Sequence, residues 1–349
     1  MPPCRAVAAP SVCGGLALVG TQREELGAHA APKNSKATAR SFFRSGLLFG
    51  GLAMKGLREG RVRAHGLEFA TLEAGSSGSP LALCLHGFPD TAVTFRHLLP
   101  ALASVGYHAV APWMRGYAPT QAPADGRYQS ALLAHDALAL IEAQGQARAV
   151  LVGHDWGALA ATGAAILRPE RVRKLVTLAV PHRTMGVALA TSYEQQKRSW
   201  YMFFFQSAFA DAAVSANDFA FLDRIWEDWS PGFVPDPEDR EALKRCFRSP
   251  GVLAAALGYY RATFDPARQD PQLAGEQLRI VSAEVPVEAL YLHGTGDGCV
   301  GVEVARSVEG GFPKGLRKVV VEEAGHFLHL ERPRLVNDAI LDFLGAPRP

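Results

Sequence analysis

Gly153-His154-Asp155-Trp156-Gly157 is the part of the sequence best arranged for chemistry. It follows the apolar run 149–152 and precedes a small-residue stretch, 158–167, so it reads as a tight strand-to-helix turn with an acid at its tip. Gly-x-nucleophile-x-Gly is the spacing of a nucleophile elbow, whose glycines relieve crowding around a residue held in a strained conformation. The helix N-terminus beneath it stabilises negative charge, which suits a carboxylate or its tetrahedral adduct. The plainer alternative is a βα turn whose Asp155 merely caps the helix.

Partners follow in the order nucleophile, acid, histidine. Asp297 lies in Gly294-Thr295-Gly296-Asp297-Gly298, after the run 285–293, and His326 lies in Ala324-Gly325-His326-Phe327, after 318–321. Asp297 is expected to orient His326 and stabilise its charged form. His329 competes for the base role but is expected inside the following helix. Taken singly, Asp297 and His326 are ordinary turn and capping types; their order and strand-end placement favour catalysis. In His86-Gly87-Phe88-Pro89-Asp90, after the run 81–85, the Phe88 N–H is expected to form an oxyanion hole with the N–H of Trp156. His86, Pro89 and Trp156, next to these donors, are expected to border the substrate.

An aspartate at the elbow decides the reaction class. Its side chain, with a pKa of about 3.9 in peptides, is already an anion at neutral pH. Toward amides and esters it is a poor nucleophile. At an sp3 carbon it displaces a leaving group and becomes an alkyl ester, leaving His326 to activate water against that ester. Strained epoxides and carbon–halogen bonds both fit. An opening epoxide leaves a basic alkoxide, so a proton donor matters, and tyrosine, with a pKa of about 10, can serve. The helical segment offers Tyr193, Tyr201, Tyr259 and Tyr260, whose plainer role is packing with a wet hydroxyl.

The elements that position these residues alternate. Residues 61–73 read as two strands turning at His65-Gly66. Apolar runs at 81–86, 108–113, 149–153 and 172–180 suit strands buried on both faces of a parallel sheet. Leu133, Ala137, Leu140 and Ile141 share one helix face. From about 183 to 284 the pattern is helical and rich in aromatics; strand rhythm returns at 285–293 and 318–321, and a helix through Val336, Ile340, Phe343 and Leu344 closes the chain. The expected architecture is a mostly parallel, doubly wound α/β sheet. Its core spans 61–182 and 285–349, with 183–284 as a helical cap inserted before the last strands.

Bulk properties narrow the partners. The 349 residues carry 36 Lys plus Arg against 34 Asp plus Glu, a net charge of +2, with no basic stripe for nucleic acid. The five cysteines are scattered without a C-x-x-C pair, so neither a metal site nor a disulfide framework is expected, and a reducing compartment, the cytoplasm, fits best. No stretch approaches the roughly 20 apolar residues of a membrane-spanning helix. Residues 1–60, rich in Ala, Gly and Arg and poor in acids, read as a disordered extension. A targeting segment, or translation from upstream of a true start at Met54, are the alternatives.

From about residue 60 to 346 the chain resembles the epoxide hydrolase family of the α/β-hydrolase superfamily. The resemblance is carried by His86-Gly87-Phe88-Pro89, Trp113-Met114-Arg115-Gly116-Tyr117, the elbow around Asp155, Gly296-Asp297 and Gly325-His326-Phe327. It implies the α/β-hydrolase fold, a covalent ester on Asp155, a water-activating Asp297–His326 pair, a small apolar epoxide and water as reactants, and no cofactor. It also implies two tyrosines that grip and protonate the epoxide oxygen. Tyr201, opening an aromatic run that ends Phe205-Gln206, and Tyr260, directly before Arg261, match them. Haloalkane dehalogenases are similar at the elbow, Trp156 included, but many place Asn where Phe88 stands. Fluoroacetate dehalogenases typically carry Arg where Trp156 stands. Ala118 departs from the family pattern, where Gly often follows the Arg-Gly-Tyr segment.

Overall fold

The computed structural model describes residues 56–306 and 308–345. Residues 1–55 of the expected extension lie outside them, while Arg58–Gly60 already belong to the first strand. Eight strands form one sheet: β1 Arg58–Ala64, β2 Leu67–Ala74, β3 Leu81–Leu85, β4 His108–Pro112, β5 Ala149–His154, β6 Val172–Leu178, β7 Ala289–Gly294 and β8 Leu316–Val321. Their spatial order is β1-β2-β4-β3-β5-β6-β7-β8. The β1–β2 and β2–β4 pairs are antiparallel and every other pair is parallel.

Local chemistry accounts for these elements. The β1–β2 turn has positive φ at both His65 (46°) and Gly66 (75°), the requirement of a two-residue type I′ hairpin. Strands β3, β5 and β7 are buried at every position, because helices cover both faces of the sheet. Helix Ser130–Ala143 packs on helix Trp156–Leu167, and helices Leu98–Ser104 and Pro333–Leu344 pack on each other. A β-carbon at Gly163 would sit 2.9 Å from that of Ala134, so the small residues after the elbow let two helices approach closely. Strand β7 starts at Ala289 rather than 285, since Pro286 has no N–H for the ladder.

Between β6 and β7, residues 179–288 form helices and no strand. The described part of the chain holds no helix long and apolar enough to cross a membrane. The parallel strands β3, β5, β6 and β7 point their carboxyl ends the same way, so the loops after Leu85, His154 and Gly294 share one edge of the sheet, with β6 between β5 and β7.

Candidate active site

The turn after β5 is built by close backbone approach. A β-carbon at Gly153 would lie 2.2 Å from the Gly157 carbonyl oxygen, and one at Gly157 would lie 1.9 Å from that of Leu85. Only glycine fits at either place. Between them Asp155 is held at φ 51°, ψ −119°, a strained region for a residue with a side chain. Its carboxylate makes no capping bond to the helix it precedes. Instead Oδ1 accepts the Phe88 N–H at 2.7 Å. The Trp156 N–H beside it opens the helix Trp156–Leu167 and so has no acceptor within that helix.

The loop after β7 presents Asp297. Its Oδ1 accepts the N–H groups of Cys299 (2.8 Å) and Val300 (2.9 Å), which fixes the carboxylate. His326 Nδ1 lies 3.0 Å from Asp297 Oδ2 and 3.2 Å from Oδ1. A carboxylate only accepts, so Nδ1 carries hydrogen and Nε2 of the neutral ring carries the lone pair. Nε2 lies 3.8 Å from Asp155 Oδ2 and has no hydrogen-bond partner among the described residues. Burial pulls the His326 pKa down, but Asp297, with Cys299 and Asp155, outweighs it and holds the imidazole well above 6.5. His329 sits in helix Leu328–Glu331 with Nε2 2.5 Å from Thr94 Oγ1, and burial pushes its pKa down to about 3.

Asp155 opens into a cavity of about 500 Å³, walled by Trp156, Tyr201, Tyr260, Cys299 and mostly apolar side chains. Of the four candidate tyrosines, Tyr193 is 71% exposed, and Tyr259 donates its hydroxyl to the Arg115 carbonyl at 2.8 Å. Tyr201 and Tyr260 face the cavity, their rings 5.6 Å apart and edge to face. Tyr260 Oη is buried without a hydrogen-bond partner among the described residues, and Tyr201 Oη lies 3.3 Å from Cys299 Sγ. Burial raises both phenol pKa values well above 10, and the Asp155 carboxylate adds to it. Both therefore stay protonated as donors at neutral pH.

His86 and Pro89 do not reach this wall. His86 is buried with Nδ1 on the Gly87 carbonyl and Nε2 accepting the Met114 N–H, each at 3.0 Å. Its ring thus holds two loops together, and burial pushes its pKa down to about 4. The Pro89 carbonyl accepts Trp226 Nε1 at 2.9 Å. Trp156 alone of the three expected bordering residues lines the cavity. Arg115, in the Trp113–Tyr117 segment, is buried in a two-pronged bond with Asp136, at 2.5 and 2.7 Å.

Sequence patterns missed one residue pair that assembles the site. The Trp229 carbonyl accepts both the Gly298 N–H and the His326 N–H at 3.0 Å, so one oxygen from the inserted helices joins the acid loop to the histidine loop. Ser230 Oγ continues the clasp, accepting the Phe327 N–H (3.1 Å) and donating to Glu331 (2.7 Å). The legible signal was in the glycines: a β-carbon at Gly298 would meet the Asp228 carbonyl at 1.9 Å, and one at Gly325 would meet Ser230 Cα at 2.5 Å.

Known proteins share this arrangement of elements. Residues 80–333 match the family described as alpha/beta hydrolase fold. The chain is 32% identical to epoxide hydrolase 4 of Homo sapiens over 292 residues, covering 81% of this chain and 77% of that one. The chain belongs to the epoxide hydrolase family of the α/β-hydrolase superfamily. Another epoxide hydrolase relative, epoxide hydrolase A of Mycobacterium tuberculosis, is 29% identical over 320 residues, 81% of this chain and 96% of its own. The crystal structure of Bacillus megaterium epoxide hydrolase in complex with an inhibitor superposes with a TM-score of 0.70 at 27% identity, over 82% of this chain and all of that one.

Among the described residues of this epoxide hydrolase fold, two buried groups have the residue types of a metal site, Asp297–Cys299–His326 and Asp90–His154–His329. The first is the acid–histidine pair with its neighbouring thiol. In the second, His154 Nε2 is bonded to the His326 carbonyl at 3.0 Å, so it packs directly beneath that pair. Burial pushes the Asp90 pKa up to about 7 and the His154 pKa well below 6.5, which favours uncharged forms in the interior.

Proposed function

We propose that this chain converts small apolar epoxides and water to vicinal diols through an ester on Asp155. The split environment of the Asp155 carboxylate carries the reading, with Oδ1 on the Phe88 N–H and Oδ2 facing His326 and the cavity. Oδ2 attacks an epoxide carbon, and the breaking C–O bond leaves its electron pair on the epoxide oxygen, which takes a proton from Tyr260 or Tyr201. His326 Nε2 then removes a proton from water as that water attacks the ester carbon. Negative charge develops on Oδ1, where the N–H groups of Phe88 and Trp156 stabilise it. Collapse releases the alcohol on the former Oδ2, protonated by His326, and the water's second proton returns to the phenolate. Atoms and protons balance, and the carboxylate is restored.

The same reading assigns residues 183–284 as the cap that closes the cavity over Asp155 and supplies both phenols. Buried, unpaired Cys84, Cys246 and Cys299 fit a reducing compartment, and we assign the chain to the cytoplasm on that ground. His326→Gln exposed to styrene oxide is the direct test. A peptide containing Asp155, heavier by one styrene oxide, should accumulate, and Asp155→Ala should show none. An adduct elsewhere, or none across a broad epoxide panel, overturns the reading.

One observation favours a halide-releasing alternative. Trp156 Nε1 is buried at the cavity wall without a partner among the described residues, as a single halide donor would be. Phe88 supplies no second side-chain N–H, and halide departure needs neither phenol. Chloride or bromide release from haloalkanes without epoxide turnover would select this alternative.

A further inference from the structure

The Cys299 thiol, in the cavity wall, has no role in the mechanism. Its backbone is pinned on both sides. The N–H donates to Asp297 Oδ1 at 2.8 Å, and the carbonyl accepts Gln195 Nε2 at 2.9 Å. Gln195 also accepts the Gly301 N–H at 3.0 Å, so a helix of the insertion holds the loop that carries both Asp297 and Cys299. Sγ is thereby fixed 3.3 Å from Tyr201 Oη. Burial raises the thiol pKa against the opposing pull of His326, so the group is an S–H at neutral pH.

A thiol and a phenol can bond in either direction. If the phenol O–H points at sulfur, its proton is taken up by a weak acceptor and is turned from the substrate. If the S–H points at the phenol oxygen, the stronger donor stays free. A hydrogen bond received by an oxygen also polarises the one it gives, so the second arrangement strengthens the phenol as a donor.

We infer that Cys299 is a positioning residue for ring opening: its S–H donates to Tyr201 Oη, directs the Tyr201 O–H at the epoxide oxygen, and supports the phenolate left when that proton is transferred. The inference rests on the role proposed above for Tyr201.

Rapid-quench measurement of ester formation from styrene oxide separates these ideas in wild type, Cys299→Ala, Tyr201→Phe and the double variant. Cys299→Ala should slow ester formation about threefold to tenfold, the worth of one neutral hydrogen bond, and change ester hydrolysis less when both are read at a pH where the His326 ring is neutral. In the Tyr201→Phe background the same substitution should add nothing. Cys299→Ser, which restores an X–H donor, should recover most of the rate. Circular dichroism and thermal unfolding of each variant identify one that is misfolded. Normal ester formation in Cys299→Ala overturns the inference, as does equal slowing in both backgrounds, which would mark packing alone. If Tyr201→Phe itself forms ester at the normal rate, the Tyr201 role falls and takes the relay with it. Slow Tyr201→Phe beside a neutral Cys299→Ala strikes the relay alone.

Discussion

Asp155 Oδ2 and His326 Nε2 lie 3.8 Å apart, too far for a direct hydrogen bond and near enough for one water to join the ring to an ester on that carboxylate. The separation divides the labour: the carboxylate attacks without a base, and the imidazole acts only afterwards.

The two steps should differ in pH dependence. Burial lowers the His326 pKa, but Asp297, Cys299 and Asp155 raise it further, to well above 6.5 in the free enzyme. Only the neutral ring can take a proton from water, so ester hydrolysis should rise with pH until the ring is neutral. Below its pKa the rate should fall about tenfold per pH unit. Esterifying Asp155 removes one negative charge that raises this pKa, so the limb should lie lower than in the free enzyme. Ester formation needs no base and should lack the limb. Rapid-quench rates of each step across pH would refute this if both followed one curve.

Gly87→Ala should displace the nucleophile. A β-carbon there would sit 2.1 Å from Asp155 Oδ1, and the carboxylate would have to leave the Phe88 N–H. Losing such a donor costs about a hundredfold to a thousandfold in rate. Gly78→Ala, with open space around it, is the control and should keep full activity. Steady-state kinetics on both variants suffice, and a Gly87→Ala enzyme with normal kcat would refute the geometry.

Removing the phenol hydroxyls should separate tyrosines that are neighbours in sequence. Tyr201→Phe with Tyr260→Phe should slow ester formation by about a hundredfold or more and spare ester hydrolysis. Tyr259→Phe loses only the bond to the Arg115 carbonyl, so ester formation should stay near normal while stability falls. Stopped-flow traces giving Tyr259→Phe the larger chemical defect would reverse the assignment.

Ser230→Ala should loosen the histidine loop. It leaves the Phe327 N–H without its acceptor and Glu331 Oε1 without the serine donor, while Glu331 Oε2 keeps the Gly325 N–H, at a cost of about 1–3 kcal/mol. Denaturant unfolding should show that loss, and kcat should fall more than KM changes, because the base rather than the cavity is disturbed. An unchanged unfolding midpoint would show that the clasp contributes no stability.

Much of this was legible in the residues. Strands β3, β4 and β5 announce themselves because burial on both faces demands apolar runs, whereas β6 carries the charged Arg173 and Lys174 near its start. The elbow announces itself because its two glycines lie against backbone atoms that tolerate no β-carbon. Tyr201 and Tyr260 were separable from Tyr193 and Tyr259 only through a family resemblance. The hydroxyl environments that distinguish them come from contacts with Arg115, Cys299 and the cavity, far away in sequence. The partner of His86 is hidden for the same reason, since the Met114 N–H that its Nε2 accepts lies 28 residues on.

Spacing along the chain determines the reactive oxygen, the order of its partners and the sheet that carries them, because strand ends and tight turns are set by neighbouring residues. Only the folded chain decides which oxygen of Asp155 faces His326, which phenols stand free, and that the Trp229 carbonyl joins two catalytic loops. Those relations depend on distances of a few ångströms between segments remote in sequence, and the close packing of the interior sets such distances jointly.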